Sequence, residues 1–121
     1  MYYQKSMGAS PWGAIQYSKN YCVGLSFVST AGHGGYRITE RLLKESAFFP
    51  EEIARLGAIK QGNYYFFEED CAWALLLNDC PSLCKLVAET DARLSPEELF
   101  NMAHETAKAW YPSYFNNEAA Q

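Results

Sequence analysis

The polar and apolar positions along the chain change period several times. From Ala14 to Tyr17 and from Tyr21 to Thr30, β-branched and aromatic residues dominate. Val23, Leu25 and Phe27 alternate there with Gly24 and Ser26, which predicts strands with one buried face and a turn at Lys19-Asn20 between them. Ala31 to Gly35 interrupts this pattern with three glycines, which readily take conformations closed to other residues, and Tyr36 to Thr39 returns as a short strand. Glu40 to Ser46 reads as a helix with Thr39 as its cap and Leu42 and Leu43 turned inward. Pro50 opens a further helical stretch through Leu56.

Beyond a turn at Gln61-Gly62-Asn63, the four consecutive aromatic residues Tyr64 to Phe67 favour another strand. The acids Glu68, Glu69 and Asp70 precede a nearly apolar run that predicts a helix to about Leu77, closed by Asn78-Asp79. Pro81 starts a short helix reaching about Glu89. Ser95-Pro96-Glu97-Glu98 is a capping box with proline in the first turn, and Leu99, Met102, Ala103, Ala107 and Trp110 follow at helical spacing until Tyr111-Pro112. These elements compose an α+β fold: a small antiparallel sheet packed with several helices. The expected division is an N-terminal extension at 1–10, one domain at 11–115 and a flexible tail at 116–121.

Length and composition narrow the picture. A chain of 121 residues supports one hydrophobic core, and its nine Tyr, seven Phe and three Trp exclude general disorder. Trp12, Trp73 and Trp110 are the expected core anchors. A formal charge of −4, with scattered cations, argues against direct nucleic-acid binding, which needs a basic stripe facing phosphate. No apolar run reaches the length of a membrane span and no signal-peptide pattern opens the chain, so the expectation is a cytoplasmic protein without a membrane partner. Cys22, Cys71, Cys80 and Cys84 are then expected as free thiols.

Two short motifs carry the candidate chemistry: the glycine turn around His33, and Glu68-Glu69-Asp70-Cys71. A thiol hydrolase or transferase would use Cys71 as nucleophile, His33 as base and Asp70 as its orienting carboxylate. Three adjacent acids oppose a thiolate at Cys71, however, and the residue leads directly into apolar sequence. His33, Glu69, Asp70 and His104 offer metal-ligand types but no metal-ligand spacing, so neither a metal nor another cofactor is expected. The glycine turn lacks the flanking residues of phosphate-binding loops, and His33-Gly34-Gly35 has no accompanying nucleophile elbow. A structural role for His33, hydrogen-bonded to Asp70 and fixing the turn to the start of the following helix, fits these residue types best.

Pro11-Trp12-Gly13, then Ser29-x-x-x-His33-Gly34-Gly35, then Glu68-Glu69-Asp70-Cys71-x-Trp73, resembles an uncharacterised bacterial domain of unknown function. The resemblance spans about Trp12 to Trp110, and a closing Trp110-Tyr111-Pro112 belongs to it. It implies a small cytosolic protein of a mobile element, a setting rich in inhibitors of restriction and CRISPR immunity. Together with the aromatic content, which supplies interface anchors, this points to a non-enzymatic protein-binding module acting on a defence nuclease or effector complex. Its expected surface comprises His33, Gly34, Gly35, Tyr36, Glu68, Glu69 and Asp70. The alternatives are the Cys71 enzyme and a ligand-sequestering protein with an aromatic pocket around Tyr64 to Phe67. A two-fold homodimer is the expected oligomer.

Overall fold

The computed structural model describes residues 8–91 and 93–119. Most of the expected N-terminal extension and the last two residues of the expected tail lie outside them. The elements run β1 (Ala9–Ser10), β2 (Gly13–Ala14), β3 (Tyr17–Cys22), β4 (Leu25–Ser29), β5 (Gly34–Thr39), α1 (Glu40–Ser46), α2 (Pro50–Gly57), β6 (Ala58–Gln61), β7 (Tyr64–Glu68), α3 (Ala72–Asp79), α4 (Pro81–Asp91), α5 (Pro96–Trp110) and α6 (Pro112–Ala119). This is an α+β architecture, with five strands in the antiparallel order β3-β4-β5-β7-β6 and a separate β1-β2 ribbon.

Period-two alternation sorts the side chains onto two faces. In register across the sheet, Leu25 lies opposite Ile38 and Ile38 opposite Tyr65, while Phe27 lies opposite Tyr36 and Tyr36 opposite Phe67. That face joins the main core beneath the helices. The other face holds Val28 and Phe66, covered by Ile15 and Trp12 from the ribbon region. The aromatic run Tyr64 to Phe67 therefore places its rings alternately on both faces, with Phe66 and Phe67 fully buried. On the ribbon side, the Arg37 guanidinium lies 4.7 Å from the Tyr64 ring centre.

Several local signals act as their chemistry requires. The Thr39 hydroxyl accepts from Leu42 N at the start of α1. At α5, both capping-box bonds form: Ser95 N donates to Glu98 Oε1 at 2.9 Å, and Glu98 N donates to Ser95 Oγ at 3.1 Å. The Ser95 backbone N–H, and then the Ser95 side chain, hold the exposed Glu98 carboxyl below its usual range.

Other expectations are corrected. Lys19 and Asn20 lie within β3, and the chain reverses at Val23-Gly24, where Gly24 has φ +100°. Asn20 stays in the strand because its side-chain oxygen accepts the Ser26 hydroxyl across the pair at 2.6 Å. Val23, at the hairpin tip, is 98% exposed and takes no part in the buried face. Strand β6 occupies sequence that carried no strand signal, and its register with β7 runs from Ala58↔Phe67 to Gln61↔Tyr64. Residues 116–119, expected in the tail, continue α6. Trp12 and Trp73 pack against the cores, but Trp110 is 61% exposed because α5 directs Ala103 and Ala107 inward instead.

Helix α3 is the centre of the helical layer. Leu75, Leu76 and Leu77 are completely buried, so the helix is covered on all sides, chiefly by α5, with α2 and β7 around it. Asn78 and Asp79 do not close it early. Asp79 is its last residue, buried, with Oδ2 accepting Phe49 N at 2.8 Å and Oδ1 accepting the Tyr114 hydroxyl. Phe48 N donates to the Asp79 backbone oxygen at 3.2 Å. One residue thus fastens the α1–α2 link and α6 to α3. Replacing Asp79 with Ala would remove the acceptor of the Phe49 amide and of the Tyr114 hydroxyl, and we expect a loss of about 3 kcal/mol in urea unfolding, with Tyr114→Phe costing about 1–2 kcal/mol.

Candidate functional site

The two sequence motifs meet at one end of the sheet. Strands β5 and β7 pair with Gly35 opposite Glu68, and Glu69 N donates to Gly34 O at 2.9 Å. The loop preceding β5 is closed by Thr30: its N donates to His33 O at 2.7 Å, and its Oγ1 accepts His33 N at 3.2 Å. Backbone bonds therefore fix both segments, and the juxtaposition needs no side-chain bridge.

The glycines have a different role from the expected turn. Gly34 and Gly35 are buried residues of β5, between β4 and β7. A Cβ on Gly35 would collide with Phe67 O, and would lie 2.8 Å from Trp12 Cη2 and 2.9 Å from Glu68 Cα. The absent side chain admits the Trp12 ring, which meets Phe66 edge-on with centroids 5.6 Å apart. Of the expected surface, His33, Glu69 and Asp70 are exposed and Glu68 is half-buried, whereas Gly34, Gly35 and Tyr36 are buried.

The expected His33–Asp70 hydrogen bond does not form. Among the described residues, no hydrogen bond or ion pair engages the side chains of His33, Glu69 or Asp70. The other histidine has a packing role: His104 Nδ1 lies 2.8 Å from Asn78 Oδ1, with the ring between Phe100 and Phe115.

Cys71, at the N-cap position of α3, is half-buried and makes no side-chain cap bond. Its partner is a residue that the sequence offered only as a helix terminator. The Tyr111 hydroxyl donates to Cys71 Sγ at 3.4 Å. Burial, and then the bond to Cys71, push the Tyr111 hydroxyl far above the ordinary tyrosine range, so it remains protonated and acts as a donor. Neither His33 nor Asp70 hydrogen-bonds the thiol among the described residues. All four cysteines are free; burial pushes Cys84 up to about 11, and Cys80 rises further through burial and the adjacent Asp79. Among the described residues, no group of three or more His, Cys, Asp or Glu side chains is arranged to hold a metal ion. No described helix is long and apolar enough to cross a membrane.

Residues 5–121 match the family described as Domain of unknown function (DUF7007). The chain belongs to that family. No curated protein and no solved structure matches it. In this DUF7007 member the candidate site is a hydrogen-bonded backbone junction between β5 and β7, carrying polar side chains that have no side-chain partner among the described residues.

Two opposite outcomes follow for stability. Gly35→Ala should cost about 1–3 kcal/mol by forcing Trp12 and the β7 backbone apart, whereas His33→Ala and Asp70→Ala should each stay within about 0.5 kcal/mol of wild type in urea unfolding.

Proposed function

We propose that the chain is a non-enzymatic protein-binding module whose contact surface is formed by His33, Glu69 and Asp70. The observation that carries this reading is the combination of a backbone fixed by sheet pairing with exposed polar side chains that have no intramolecular partner among the described residues. A pre-organised surface loses little conformational freedom on association, so its contacts translate into affinity. Two adjacent exposed carboxylates on a chain of charge −4 select a cationic partner. In its most specific form, the proposed partner is the basic groove of a defence nuclease or effector complex, which an anti-defence inhibitor would occupy in place of nucleic-acid phosphates.

The thiol-enzyme alternative has less support. Among the described residues no imidazole is hydrogen-bonded to its nucleophile, whose hydrogen-bond partner is the Tyr111 hydroxyl and not a general base. A ligand pocket built from Tyr64 to Phe67 is likewise weakened, because Phe66 and Phe67 are fully buried core residues.

The test is capture of a partner by the tagged chain, followed by titration against a Glu69→Lys, Asp70→Lys variant and against a DNA duplex. A stoichiometric partner released by added duplex and bound at least about tenfold more weakly by the variant is the expected result. Equal binding by both proteins would contradict the surface, and indifference to duplex would contradict the groove.

A further inference from the structure

The helix-side face of β5 presents a second site, separate from the β5–β7 surface. A cavity of about 410 Å³ lies between β5, the end of α4 and α5, bordered by Tyr36, Asp91, Arg93, Leu94, Leu99 and Met102. Its size lies within the about 300–1,000 Å³ usual for small-molecule sites. Tyr36 is only 7% exposed, and its ring is held edge-on to Phe27 and tilted against Tyr21. Its hydroxyl makes no hydrogen bond among the described residues and is not fully buried, so it is an unengaged donor open to the cavity.

The charges beside the cavity favour one type of guest. Asp91 Oδ1 lies 3.2 Å from Lys19 Nζ and 3.8 Å from an Arg93 guanidinium nitrogen, so one carboxylate faces two cations and a net positive charge remains. Burial is the main cause that holds the Tyr36 hydroxyl far above its ordinary range, which keeps it a proton donor at neutral pH. An acceptor head group satisfies both features, while an ammonium would compete with Lys19 and Arg93 for Asp91. Leu94, Leu99 and the adaptable side chain of Met102 supply an apolar wall.

We propose that this cavity binds a small carboxylate with an apolar body, its head group accepting from the Tyr36 hydroxyl and facing the Arg93 guanidinium, its body against Leu94, Leu99 and Met102. The experiment is a titration of the ¹⁵N-labelled full chain with octanoate and, separately, octylammonium, followed through backbone amide shifts. Octanoate should give saturable shifts centred on Tyr36, Asp91, Arg93 and Leu99, with octylammonium at least about tenfold weaker. Tyr36→Phe should weaken octanoate about tenfold, as loss of one hydrogen bond implies, and Arg93→Gln, at an exposed side chain, should weaken it several-fold with the remaining spectrum preserved. Absence of saturable shifts up to about 10 mM, shifts centred elsewhere, equal binding of octylammonium, or unchanged affinity in Arg93→Gln would each overturn the proposal.

Discussion

Burying α3 on every side places it at the centre of the main core, and it also creates a polar problem at the helix end. Three leucines in succession, Leu75 to Leu77, are removed completely from water, each contributing about 1.5–3 kcal/mol of apolar burial. Asp79 closes it inside the protein, and its carboxyl and carbonyl oxygens receive donors from Phe48, Phe49 and Tyr114. The α1–α2 link and α6, which are remote in sequence, are thereby drawn to the same point. A polar residue becomes the fastening of an otherwise apolar layer because a buried acceptor left unsatisfied is costly.

The opposite end of α3 has the reverse character. Cys71 begins the helix without a cap bond of its own, and just before it Glu69 and Asp70 remain exposed. The sheet holds this end in place: Gly35 allows β7 and Trp12 to approach β5 closely, and Glu69 N is bound to Gly34 O. Stability at one end of α3 rests on side-chain hydrogen bonds, and at the other on backbone pairing and close contact. That division leaves His33, Glu69 and Asp70 available for recognition, since no other part of the described fold uses their side chains. Tyr36 belongs to the same strand as the glycines, yet strand alternation sends it to the helix side, so one strand contributes to two distinct surfaces.

Local chemistry was readable in the sequence where the signal is itself local. The capping box at Ser95, the Thr39 cap and the proline helix starts are short-range hydrogen-bonding or dihedral constraints, and all appear where the residues stand. The sequence also identified the two motifs that meet at the candidate site. What it could not show were relations set by pairing partners. Ala58 to Gln61 has weak strand character and becomes β6 because β7 offers it an edge. Lys19-Asn20 has turn composition, but the Asn20–Ser26 bond retains it in a strand. His33 and Asp70 suggested a side-chain bridge, whereas backbone pairing brings their segments together. Tyr111 and Asp79 both looked like helix terminators; their roles depend on Cys71 and Tyr114, dozens of residues away.

The central physical claim is that α3 and the strands beneath it form one cooperative unit on which the rest of the fold is assembled. Native-state hydrogen exchange resolved by residue measures this directly. Amides in the interior of α3, in β5 and in β7 should exchange only through global unfolding, with the same opening free energy and the same denaturant dependence. If α3 amides open at a free energy clearly below that of β5 and β7, the helix is a dependent layer on an autonomous sheet, and the claim is wrong.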